Sequence, residues 1–183
     1  MAATAAAGTV LITGTTSGVG LNAASALAKR GWHVVTANRD PVKAAAAAAS
    51  LGIPADQLSH LRFDLGDLES VRVGVETLVA SLGRPLDALV VNAAVYKPRL
   101  KQPEWSPQGF EISMATNHLG HFALAGLLHK QIGNRIVAVS SQMHRAARIS
   151  GMSSDDLRNR ARGIGAYNPW SAYALSKLAN LLF

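Results

Sequence analysis

Short β-branched runs alternate with segments of helical spacing along this chain, and that alternation restricts it to βαβ crossovers and a parallel sheet. Gly8-Thr-Val-Leu-Ile-Thr13 is the first run, and Val19, Leu21, Ala24 and Leu27 follow at helical spacing until Gly31 ends the segment. Trp32-His-Val-Val-Thr-Ala37 predicts a second strand, and the next helix takes Pro41 in its first turn and runs through the alanines from Ala44 to Ala49. His60-Leu-Arg-Phe63 predicts the third strand, Asp67 the cap of a helix reaching Leu82, and Leu86-Asp-Ala-Leu-Val-Val91 the fourth strand. A long helical region is expected from Ser106 to Ile132, then a fifth strand over Asn134-Arg-Ile-Val-Ala-Val139. The polar stretch from Ser141 to Pro169, about 28 residues, exceeds the length at which connections become functional or partly structured. A last helix follows it. The expectation is an α/β doubly wound parallel sheet of order 3-2-1-4-5 in a single domain covering residues 1–183, with ligands outside the carboxyl ends of the strands.

Composition narrows the function classes. A chain of 183 residues with 49% hydrophobic content buries a sizeable core and excludes disorder. The absence of cysteine excludes disulfides, thiolate metal sites and cysteine nucleophiles together. A net charge of +7 suits nucleic acid, an anionic surface or a phosphorylated cofactor, but the cations are scattered. The densest cluster, Arg158-Asn-Arg160-Ala-Arg162, has no interleaved aromatics, which argues against nucleic acid. Met1-Ala-Ala-Thr-Ala-Ala-Ala7 lacks a basic start, and no apolar run approaches the ~18 residues of a membrane span. The chain reads as soluble and cytoplasmic, without an integral membrane segment. His118 and His121 stand three apart with no third ligand evident, so no metal is expected.

After the first strand the chain must turn tightly and bring its backbone close to a diphosphate, which requires glycine at Gly14, Gly18 and Gly20. The helix that opens there adds N–H groups and a partial positive charge. Thr16, Ser17 and Val19 fill the same loop as further candidate contacts. Tyr173 and Lys177 share one helical face in Ser171-Ala-Tyr-Ala-Leu-Ser-Lys177, so a phenol and an ammonium look into one cleft. That pairing is suited to proton donation during hydride transfer.

The Gly-x-x-x-Gly-x-Gly spacing and the Tyr-x-x-x-Lys pair, one helix beyond the fifth strand, resemble the short-chain dehydrogenase/reductase family, and the resemblance runs over nearly the whole chain. It implies a Rossmann-type fold and a nicotinamide cofactor. Where family members that use NAD carry an acidic residue after the second strand, this chain has Asn38-Arg39, and a cation there pairs with a ribose 2′-phosphate. NADPH is the expected cofactor. The resemblance further implies that Asp64 and Leu65 contact the adenine and that Asn92, Ala93 and Ala94 form the floor of the cofactor site. It also implies a catalytic tetrad of Asn117, Ser141, Tyr173 and Lys177, with Tyr173 as proton donor and Lys177 bonding the nicotinamide ribose. Ser140 and Tyr167 read as structural, His144 and Arg145 as loop residues, and Trp105 and Trp170 as candidates for an apolar wall.

Two branches of the family pull on the chain. Asn92-Ala-Ala-Val-Tyr-Lys-Pro98, Gly109-Phe-Glu-Ile-Ser113 and Thr116-Asn-His-Leu-Gly-His-Phe122 look like the light-dependent protochlorophyllide reductases. Ser140-Ser-Gln-Met-His-Arg145 and Asn168-Pro-Trp-Ser-Ala-Tyr173 are more like the retinol dehydrogenases and carbonyl reductases. The implied substrate is a small apolar or pigment molecule. A non-catalytic NADP-binding module is the alternative, and a homo-oligomer formed through the long helices is compatible with the family. Because family members continue past the Tyr-Lys helix, the chain is also expected to lack a C-terminal part of the fold.

Overall fold

The computed structural model describes residues 7–183, so the leading segment that lacks a basic start lies, but for Ala7, outside the described residues. The chain runs through β1 (Thr9–Thr13), α1 (Gly18–Ala28), β2 (His33–Asn38), α2 (Pro41–Ser50), β3 (Leu58–Arg62), α3 (Leu68–Ser81) and β4 (Leu86–Val91). It continues with α4 (Ile112–Met114), α5 (Gly120–Leu128), β5 (Ile132–Ala138), α6 (Ser154–Ala161) and α7 (Pro169–Ala179). The five strands form one sheet in the order β3-β2-β1-β4-β5, the expected one. β1 is parallel to β2 and β4, and β2 is parallel to β3. Among the described residues no helix is long and apolar enough to cross a membrane.

Two compact units divide the chain. The first holds the described residues up to Phe63, Val73–Ala93 and Ala125–Val137. Val10, Ile12 and Val34 pack there with Ala24 and Ala28 of α1, Ala48 of α2, Ile53 and Ala88. Leu11 and Val35, whose side chains leave the strands on the opposite face, are buried as well. Burial on both faces is why β1 and β2 are continuous apolar runs rather than alternating ones. Each large side chain so buried contributes about 1.5–3 kcal/mol relative to exposure. In α2 the alanine run serves close approach, since Ala44 and Ala48, one turn apart, are the buried pair.

The second unit comprises Asp64–Arg72, Ala94–Leu124 and Ala138–Phe183. The long helical region expected from Ser106 begins only at Ile112. Ser106–Gly109 is instead a turn closed by the Gly109 N–H on the Ser106 carbonyl at 2.9 Å, with Gly109 at φ +75°. Glu111 then caps α4, its carboxylate accepting the N–H groups of Ser113 at 2.9 Å and Met114 at 3.0 Å. A π-helical turn, Ala115–Leu119, joins α4 to α5. The stretch from Ser141 to Pro169 is partly structured: a 3₁₀ turn covers Gln142–Ala146, and Ser153 and Asp156 form a capping box at α6.

Candidate active site

In the first unit the chain leaves β1 at Thr13 and turns through Gly14 at φ +71° and Gly18 at φ +57° before α1. A Cβ on Gly14 would lie 2.7 Å from the Ala93 Cα, and one on Gly20 would lie 2.3 Å from the Gly14 carbonyl oxygen. Gly18 differs, with nothing within 4 Å of the place its Cβ would take. Packing therefore demands two of the three glycines, and the backbone angle demands the third, which faces open space. Thr16, Ser17, Gly18 and Val19 are exposed, no acidic residue lies in the first turn of α1, and the Ser17 side chain makes no capping bond. The amide groups at this helix start fit an anionic group such as a diphosphate.

Three side chains brace the loop. The Asn38 Oδ1 accepts the Thr15 N–H and its Nδ2 donates to the Thr15 Oγ1, both at 2.9 Å. The Asn92 Nδ2 donates to the carbonyls of Thr13 at 2.9 Å and Gly14 at 3.2 Å. The Thr13 Oγ1 accepts the amides of Asn92 at 2.9 Å and Ala93 at 3.0 Å. Asn38, expected among the cofactor contacts, thus has its amide committed to the loop, while Arg39 beside it is exposed. Thr13 and Thr15 were missed from the sequence. Their signal was a buried hydroxyl at a strand end, where backbone donors emerge without a ladder partner.

In the second unit, Asp64 forms a local turn: its Oδ1 accepts the Gly66 N–H at 2.8 Å and its own N–H donates to the Ser70 Oγ at 2.9 Å. Leu65 is buried, and a Cβ on Gly120 would lie 2.1 Å from the Leu65 carbonyl oxygen, so α5 starts directly on that backbone. Ala94 is exposed.

Asn117 sits fully buried in the π-helical turn. Its Oδ1 accepts the Val95 N–H at 2.7 Å, and its Nδ2 donates to the Val95 carbonyl and to the Ser176 Oγ, each at 3.0 Å. Ser176 passes the link on, donating to the Tyr173 carbonyl at 2.7 Å. The carboxamide therefore ties the segment after Asn92 to α7. The Asn117 carbonyl accepts the His121 Nδ1–H at 2.9 Å. Burial, the dominant cause, lowers the pKa of His121 to about 4, and it also lowers that of His118, whose Nδ1 lies 3.2 Å from the Asn180 Oδ1.

Lys177 is 2% exposed. Its Nζ donates to the Val139 carbonyl at 3.1 Å and lies 5.8 Å from the centroid of the Tyr173 ring. Burial pulls its pKa from the ordinary 10.5 down to about 8. Ser140, read as structural, donates its Oγ to the Lys177 carbonyl at 2.7 Å. Ser141 caps the following turn, accepting the Met143 N–H at 3.3 Å, and α7 packs on that turn. The Tyr173 ring lies 4.6 Å from that of Tyr96, which meets Trp170 edge-on at 5.5 Å. Trp105 instead donates its Nε1–H to the Arg162 carbonyl at 2.9 Å. Tyr96 went unnoticed in the sequence as part of this aromatic group, and so did Glu111, fully buried and bonded by the Tyr167 hydroxyl at 3.1 Å.

The model of the short chain dehydrogenase family matches residues 8–153. The chloroplastic protochlorophyllide reductase of Chlamydomonas reinhardtii is 47% identical over 173 residues, 88% of this chain and 43% of that protein. Its counterpart in Cucumis sativus is 41% identical over 197 residues, 96% of this chain and 49% of that protein. The chain thus spans about half the length of the curated relatives it matches. Among solved structures, an uncharacterised protein from Mycobacterium paratuberculosis is 42% identical with a TM-score of 0.80, the match covering 97% of this chain and 60% of that one.

Proposed function

This chain belongs to the short chain dehydrogenase family, and from that premise we propose that it is an NADPH-dependent oxidoreductase acting on a flat conjugated substrate of the protochlorophyllide class, with Tyr173 as proton donor. The observation that carries the reading is a buried lysine one turn beyond a half-buried tyrosine, held on the Val139 carbonyl with its pKa near 8. A phenol with an ordinary pKa of about 10 is a weak acid at neutral pH. The Lys177 ammonium, charged below about pH 8, stabilises the phenolate left when the Tyr173 hydroxyl gives up its proton. Asn117 steadies the helix that carries both groups through Ser176, and Ser141 orients the reacting group.

The first unit supplies a dinucleotide loop. Its amides from Thr16 to Gly20 suit the diphosphate, Arg39 suits the 2′-phosphate that a carboxylate would repel, and Asn92 and Ala93 back the loop. The bound dinucleotide supplies the hydride. In the second unit the cofactor candidates are Asp64, Leu65, Ala94, Tyr173 and Lys177. The ring pair of Tyr96 and Trp170 beside Tyr173 favours a planar conjugated substrate over an aliphatic carbonyl, and the identity to protochlorophyllide reductases points the same way.

The test is reduction of protochlorophyllide by the purified chain with NADPH, in darkness and in light, beside retinal as a second substrate. Light-dependent product that Tyr173→Phe abolishes, with NADPH binding retained, supports the proposal. Reduction of retinal in darkness instead assigns the carbonyl branch. NADPH binding without turnover of either substrate, even after a C-terminal extension is restored, assigns a non-catalytic module.

A further inference from the structure

We propose that Glu111 is a positioning residue for the proton donor, acting through the Tyr167 hydroxyl on the start of α7. Its Oε1 accepts from Tyr167 at 3.1 Å and from the Ser113 hydroxyl at 3.2 Å, while its Oε2 accepts the two amides that start α4. Four donors on a fully buried carboxylate make a pre-formed acceptor rather than a surface charge. The same residue holds the other end of the intervening loop, because the Glu111 N–H donates to the Ala161 carbonyl at 2.9 Å. Glu111 therefore clamps the segment from Ala161 to Tyr167 at both ends.

Between those ends the chain turns back through Gly163 at φ +68° and Gly165 at φ +95°, with the Ile164 N–H returned to the Asn159 carbonyl at 2.8 Å. What it delivers is the cap of the catalytic helix. Asn168 follows Tyr167 directly, and its Oδ1 accepts the N–H groups of Trp170 at 2.9 Å and Ser171 at 3.1 Å. Tyr173 lies in the next turn. Burial, followed by the Glu111 charge, raises the Tyr167 pKa well above the ordinary 10, so its hydroxyl remains a donor throughout the working pH range. An ångström of drift in a reacting group costs on the order of a hundredfold in rate, so the clamp has catalytic weight although it touches no substrate.

The inference rests on the reading of Tyr173 as proton donor, and its test separates the two. Tyr167→Phe removes only the hydroxyl and Glu111→Gln keeps the side-chain shape, so both variants and the double variant are to be compared with the wild type. Amide hydrogen exchange over 162–173 is expected to rise about tenfold in each single variant, the loss of one charge-assisted hydrogen bond, with β1–β4 unaltered. Turnover falls with it while the KM for NADPH stays within about twofold, and Tyr167→Phe has a smaller effect in the Glu111→Gln background than in the wild type, because only an uncharged hydrogen bond is left to lose there. Unchanged exchange over 162–173 in Tyr167→Phe, or fully additive losses in the double variant, overturns the clamp. Because exchange needs no substrate, a chain that turns over neither pigment nor retinal defeats the proposed activity and leaves the role of Glu111 to be decided by exchange alone.

Discussion

A lysine whose pKa burial draws from 10.5 to about 8 changes charge within the working range of an enzyme. If the ammonium is the active form, turnover has an alkaline limb near pH 8, and a rate that stays level to pH 10 removes Lys177 from the mechanism. The shift also has a sign in stability. Between about pH 8 and 10.5 the unfolded chain holds a proton that the folded chain has released, so folding strengthens as pH rises through that window. His121 gives the complementary case at acid pH. With a pKa near 4 in the fold against 6.5 outside it, the stabilisation is complete above about 6.5 and is lost as pH falls towards 4, amounting to about 3 kcal/mol. His121→Gln is expected to narrow the difference between the urea midpoints measured at pH 7 and pH 4; an unaltered difference means that other groups carry the acid sensitivity.

At the scale of elements, strands were legible and connections less so. Double burial leaves an apolar run in β1, β2 and β4 that can be read without a partner, whereas β3 starts at Leu58 and β5 at Ile132, each two residues before the expected start, because polar exposed positions hide their ends. The late start of α4 did have a signal: Pro107 and Gly109 in Ser106-Pro-Gln-Gly109 stand where a type I turn favours them. The glycine loop and the Tyr-Lys pair were legible because each is a contiguous motif. The bracing of Thr15 by Asn38 and the meeting of Glu111 with Tyr167 were not, since those partners stand 23 and 56 residues apart and only the fold joins them. Two substitutions test the loop. Gly20→Ala sets a methyl 2.3 Å from a carbonyl oxygen and should weaken both NADPH binding and thermal stability. Ser17→Asp places a carboxylate at the exposed start of α1, where it should lower NADPH affinity at least about tenfold without lowering the melting temperature; equal affinity would mean that the diphosphate binds elsewhere.

For the molecule as a whole, the excess of seven positive charges would make any anion bind more weakly as salt is added. Arg39 should account for most of that response toward the cofactor. Arg39→Glu is expected to reduce NADPH affinity at least about tenfold while leaving NADH within a few-fold, as read by titration of each dinucleotide. The scaffold beneath responds differently. Asn38, Asn92, Thr13 and Thr15, which hold the loop, are all neutral at any pH the protein survives. Ionic strength and acidity can therefore alter how strongly a phosphate is attracted but not the contour it meets, and calorimetry across a salt series should trace a declining affinity with an unvarying heat-capacity change.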